Sequence, residues 1–256
     1  MNKFSTCLIS LTLLLTLMCP CANADFKEHF DLGQNYLSNY QYSGAITEFK
    51  SALRINYMDT SARIGLINAY LARGTDYANK EKAWGKAAND FRSALFYLKY
   101  YPNNDAIQNS AQAINQVTNN LARCLNETGF DKSPQNRYST AKYLRSEGNF
   151  AAAGYEFNQT LSNTSLQKSS FEQIAEIMKL LGNDQKALEY YSKAVAVAPA
   201  DLSLRLEYAK MLDKNKNEDS ATKEYAYILD KSTAENKDIV KSKLSYAAAL
   251  FILIPS

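Results

Sequence analysis

The chain has 256 residues, 46% of them apolar, and a formal charge of +3. That is enough apolar material for a substantial core and too little net charge to point to nucleic acid or an anionic surface. With nine glycines and five prolines over this length, long helices are favoured over many short strands.

The first element is a charge-free run, "LISLTLLLTLM" (Leu8 to Met18), preceded by Lys3 and followed by Pro20 and the small-x-small end Ala22-Asn23-Ala24. It is shorter than the roughly 20 residues of a membrane-spanning helix. The pattern predicts a secretory signal peptide over 1–24, cut after Ala24, and hence a secreted or periplasmic chain with no stable span after cleavage. Cys7, Cys19 and Cys21 leave with that segment. Cys124 then has no intrachain partner, so the mature chain relies on packing and not on disulfides.

Downstream, apolar residues recur at helical spacing and the pattern repeats every 34 residues. "LGQNY" (Leu32 to Tyr36) and "LINAY" (Leu66 to Tyr70) are 34 apart. The first is followed by Ala45, Phe49 and Ala52. The second is followed by Ala87, Phe91 and Ala94, eight residues late, which places an insertion at 74–84. Asp105 to Leu125 reads as one helix with Ile107, Ala111, Ile114, Val117, Leu121 and Cys124 on one face, and "NETGFDKSP" as a turn. This segment, 104–133, bridges two blocks, and Cys124 reads as a buried small hydrophobe. Three units then begin near Pro134, Lys168 and Leu202, with Ala141, Ala175 and Ala209 in phase. Gly182, Ala187, Tyr191, Ala194 and Pro199 spell out a small–aromatic–small–proline spacing. Small residues let two helices approach, the aromatic fills the gap, and proline stops the second helix. One such hairpin cannot bury its apolar stripe alone, so neighbours must stack. The last segment, 232–256, reads as a C-terminal helix with Ile239, Val240, Leu244, Ala247 and Phe251 inward. Its apolar end "AAALFILIPS" fits a cap, a truncated unit or a self-association surface.

These residues resemble the tetratricopeptide repeat, a 34-residue helix–turn–helix with Leu-Gly-x-x-Tyr on its first helix and Ala-x3-Phe-x2-Ala-x4-Pro on its second. Leu32, Gly33, Tyr36, Ala45, Phe49 and Ala52 carry it in the first unit, and Gly182 to Pro199 in the fourth. The resemblance covers 26–101 and 134–230, and departs from the pattern at Ile67 and Lys216. It implies an all-α, right-handed α-solenoid, with a pair of units over 25–103 and three over 134–231. It also implies a concave groove, lined by first helices, that binds a protein or peptide partner. The groove positions are Phe30, Gln34, Leu37, Asn68 and Leu71 in the first block, and Lys142, Arg145, Glu176, Lys179, Lys210, Asp213 and Lys214 in the second. Phe30 stands where the family's carboxylate-gripping variant has a lysine, so that specificity is not carried over.

Nothing in the chain reads as a catalytic constellation. The single histidine, His29, rules out His-pair zinc sites and argues against a Ser-His-Asp arrangement. No Gly-rich phosphate loop is present, and Glu172 with Glu176 reads as solvated helix face. No cofactor and no nucleic acid are expected. Asn126, Asn158 and Asn163 sit in N-x-S/T, relevant only in a host that glycosylates exported chains. The expectation is an exported, non-enzymatic scaffold. The alternatives are an interaction subunit of a cell-wall or envelope enzyme complex, and a self-assembling structural protein.

Overall fold

The computed structural model describes residues 20–101 and 110–232, and within them every regular element is an α-helix. The eleven helices are α1 (Pro20–Ser38), α2 (Tyr42–Ile55), α3 (Thr60–Asn79), α4 (Trp84–Lys99), α5 (Ser110–Glu127), α6 (Pro134–Ser146), α7 (Phe150–Asn158), α8 (Thr164–Leu180), α9 (Asp184–Val197), α10 (Leu202–Lys214) and α11 (Glu218–Lys231). The chain divides into two compact units, one of residues 1–98 and 103–124, the other of 99–102 and 125–256. In the first, α1 packs on α2 and α3, and α2 on α3; in the second, each helix from α6 to α11 packs on the next. Of the expected elements, the signal segment up to residue 19, the start of the bridging helix at 104–109 with Ile107, and the C-terminal helix from residue 233 lie outside the described residues.

Repetition is visible in the turns as well as the spacing. Tyr40, Lys82, Gly148, Gly182 and Lys216 end the first helix of five successive hairpins, and all five have positive φ, from +54° to +79°. Gly148, Gly182 and Lys216 are 34 apart, and Lys82 follows Tyr40 by 34 residues plus the eight-residue lag. At Gly182 the amide donates to the Lys179 carbonyl (3.1 Å) and that of Asn183 to the Met178 carbonyl (2.8 Å). The same pair of bonds recurs at Tyr40–Gln41, Gly148–Asn149 and Lys216–Asn217, and it satisfies carbonyls the helix end would otherwise orphan. Gly129 (φ +64°) closes α5 in the same way, in the turn expected after it.

The small–aromatic–small code is buried throughout. Ala45, Phe49 and Ala52 have no exposure, nor have Ala187 and Ala194, while Tyr191 and Tyr225 keep 1%. A Cβ on Gly33 or Gly65 would come within 2.8 Å or 2.4 Å of the Phe49 ring, so Phe49 is wedged between α1 and α3 where only glycine fits. Cys124 is buried with Val117 and Leu121, whereas Ala111 of the expected inner face is exposed.

Two boundaries differ from the sequence reading. The insertion at 74–84 is largely helix: α3 runs to Asn79, about two turns longer than the first helices of 13 residues at α6 and α10. Gly74 continues the helix because its bare Cα faces Asp90 and Phe91, and packing overrides its weak propensity. The fourth unit starts at Thr164 rather than near Lys168, because the Asn163 side chain accepts from the Ser165 and Leu166 amides and starts α8 early. Asp59, Ser133 and Asp201 cap α3, α6 and α10 in the same manner.

A second feature repeats that the sequence reading did not identify. His29 Nδ1 lies 2.7 Å from Glu48, Arg137 Nη1 2.6 Å from Glu156, and Arg205 Nη1 2.5 Å from Glu224. Each pair spans 19 residues and ties the first helix of a hairpin to its second. In the fourth hairpin the equivalent positions are Phe171 and Tyr190, whose rings are 6.2 Å apart. In the second, Asp90 holds the acidic position and takes a bidentate grip from Arg73 (2.8 and 2.7 Å) on the extended part of α3. One slot thus accepts either an ion pair or an aromatic pair of similar bulk.

Candidate functional site

The twelve groove positions fall into two groups. In the first unit, Gln34 and Asn68 are exposed and Leu37 and Leu71 half-buried. Phe30 is engaged inward, stacked on Phe26 and edge-on to Phe49, both at 6.0 Å between centroids. In the second unit, five of the seven are drawn into local ion pairs or hydrogen bonds. Glu176 accepts from Lys179 (2.8 Å) and from the Tyr191 hydroxyl. Burial works against its charge, but these two donors hold the Glu176 carboxyl below the usual range. Lys210 reaches Glu207 at 2.6 Å and Lys214 reaches Asp184 at 2.6 Å. Asp213 is half-buried.

Lys142 and Arg145 come together. One helical turn apart on α6, they line an open groove of about 550 Å³ with Tyr138, Ser146, Phe150, Gln173 and Leu180. Arg145 Nη1 is held by Gln173 Oε1 at 2.5 Å, which orients its guanidinium. Tyr138 is seated by an edge-on contact with Phe157 at 5.3 Å. No carboxylate lines the groove. Its walls therefore offer two cations, a tyrosine hydroxyl, an amide and two apolar side chains, Phe150 and Leu180. Leu180 is 47% exposed. Such walls suit a segment with carboxylates and an apolar side chain.

Tyr138, Ser146, Phe150, Gln173 and Leu180 were missed from sequence. Tyr138 had a usable signal, lying one turn before Lys142 on the same face. Phe150 and Gln173 had none, since they enter from the neighbouring helices α7 and α8.

Among the described residues no group of three or more His, Cys, Asp or Glu is placed to hold a metal ion, and no helix is long and apolar enough to cross a membrane.

No family model matches the chain, and no curated protein matches it. Among solved structures it is similar to Pseudomonas aeruginosa pilF, at 14% identity over 90% of this chain and 89% of that one, with a TM-score of 0.39. It is also similar to MamA protein (14% identity, 91% and 100%, TM-score 0.36). A third is the TPR2AB domain of yeast Sti1 in complex with pHSP90 (11% identity, 89% and 99%, TM-score 0.39). These likenesses are weak. The repetition of the hairpins rests on the chain's own 34-residue step, buried small–aromatic–small code and repeated left-handed turns.

Proposed function

We propose that the chain is an exported, non-enzymatic scaffold that holds an acidic segment of a partner protein in the groove between α6 and α8. The observation that carries this reading is the pairing of Lys142 and Arg145 in one groove with no carboxylate on its walls. Two cations facing a carboxylate-bearing peptide favour encounter and register, and the apolar walls supply contact area. Export rests on the charge-free run and small-x-small end of residues 1–24. In a bacterium the partner would be met in the periplasm or envelope.

Photo-crosslinking from position 180 in the native compartment tests the reading, because Leu180 lines the groove and is 47% exposed. The expected product is a discrete partner crosslinked through an Asp/Glu-rich segment, lost in the Lys142→Glu/Arg145→Glu variant. Crosslinks to uncharged or basic segments, unchanged in that variant, would reject it. Cleavage of the chain before Asp25, read from the mature N-terminus, tests export separately.

A further inference from the structure

A second pocket lies wholly within the first unit, at the turn between α1 and α2 and beside the helical insertion of α3. It is open, about 510 Å³, within the usual range for small-molecule sites. Four of its walls are tyrosines: Tyr36, Tyr40, Tyr42 and Tyr77. Tyr40 stands at the left-handed turn position that two other hairpins give to glycine, with φ +59°. Its side chain is 79% exposed and packs edge-on to Tyr42 at 6.4 Å. A bulky residue in that backbone region is strained, and here the strained residue displays an aromatic ring at a pocket rim.

The polar walls are planar or multidentate groups: Gln41, Ser43, Arg73, Asp76 and Glu81. Their charges balance locally. Arg73 is gripped by Asp90, and its guanidinium also reaches Ser43 Oγ at 3.0 Å. Asp76 is paired with Lys80 at 2.8 Å. Lys86 lies 5.3 Å from the centroid of the Tyr77 ring, opposite in sign to Glu81. An ionic ligand therefore gains no net attraction here. A ligand with flat C–H faces for the rings, and hydroxyls that both donate and accept along its edges, matches both kinds of wall.

We infer that this pocket binds a neutral saccharide, with Tyr40 and Tyr42 stacking on sugar rings and Gln41, Asp76 and Glu81 taking the hydroxyls. The site is independent of the basic groove of the second unit and would give the scaffold a glycan contact of its own.

The test is calorimetry and saturation-transfer NMR on the full mature chain with cellobiose, maltose and N,N′-diacetylchitobiose. Decaproline and tetramethylammonium probe the other occupants an aromatic pocket could take. At least one disaccharide is expected to bind. Tyr42→Leu should weaken it about tenfold, the worth of one aromatic stacking contact. Tyr40→Gly should weaken binding while raising the melting temperature, since glycine relieves the left-handed strain; a merely structural Tyr40 would not separate the two. Lys216→Gly should raise the melting temperature and leave binding unchanged. The inference is overturned if none of the three disaccharides binds, if Tyr40→Gly and Tyr42→Leu leave affinity intact, or if decaproline or tetramethylammonium binds more tightly than every disaccharide.

Discussion

Arg137 and Glu156 show what a single buried pair contributes. Glu156 has no exposure, and Arg137 keeps 15% of its side chain in solvent. Removing the guanidinium as Arg137→Met takes the ion-pair partner from a buried carboxylate and should cost about 3–5 kcal/mol in denaturant melts. The fourth hairpin fills the same slot with Phe171 and Tyr190, so the double variant Arg137→Phe/Glu156→Tyr should recover at least half of that loss. No recovery would mean the slot is not equivalent from hairpin to hairpin. At the turns, Lys216 has φ +59° where Gly148 and Gly182 have +73° and +79°. Lys216→Gly is expected to stabilise the chain by about 1 kcal/mol, read from the midpoint of urea unfolding.

At the scale of the helix, most of what holds the array together was legible in the sequence. Ala187, Tyr191 and Ala194 are inward as their spacing requires, because a helical face is fixed by sequence position alone. The start of α8 was not legible from periodicity, since it depends on the Asn163 cap. Nor was the continuation of α3 through Gly74, where a tertiary contact with Phe91 overrides a local preference for a break. The ladder of pairs 19 residues apart was present in the 34-residue step but invisible to a search for apolar residues only. The inward tyrosines of α9 and α11 carry a consequence for pH. Burial pushes the Tyr225 hydroxyl up to about 12, and burial with the neighbouring Glu189 and Glu176 carboxylates raises Tyr190 and Tyr191 further. Their ordinary value is about 10. The folded state thus holds these protons more tightly than the unfolded chain. Their contribution is complete below about pH 10 and is lost as pH rises through 12. Titration followed at 295 nm should show a late tyrosinate phase coincident with loss of helical circular dichroism. Ionisation of every tyrosine near pH 10 with the helices intact would contradict the inward placement.

For the molecule as a whole, repetition explains the scaffold and the departures from repetition locate its candidate sites. The basic groove arises where Tyr138, Lys142 and Arg145 face Gln173 across neighbouring hairpins. The tyrosine pocket arises where Tyr40 replaces glycine and α3 outgrows its counterparts. Two of the groove's seven wall residues were readable, Lys142 and Arg145, because they lie on one helix face. Most of the rest was not, because side chains from different helices meet only after stacking. The measurement that bears most directly on the account is the affinity of the mature chain for an acidic peptide and its lysine-substituted counterpart, with and without Lys142→Glu/Arg145→Glu. At low ionic strength, where exposed charges are least screened, the native chain should prefer the acidic peptide by at least about tenfold, and the reversed groove should prefer the basic one. Equal binding of both peptides, unmoved by reversing the two charges, would contradict it.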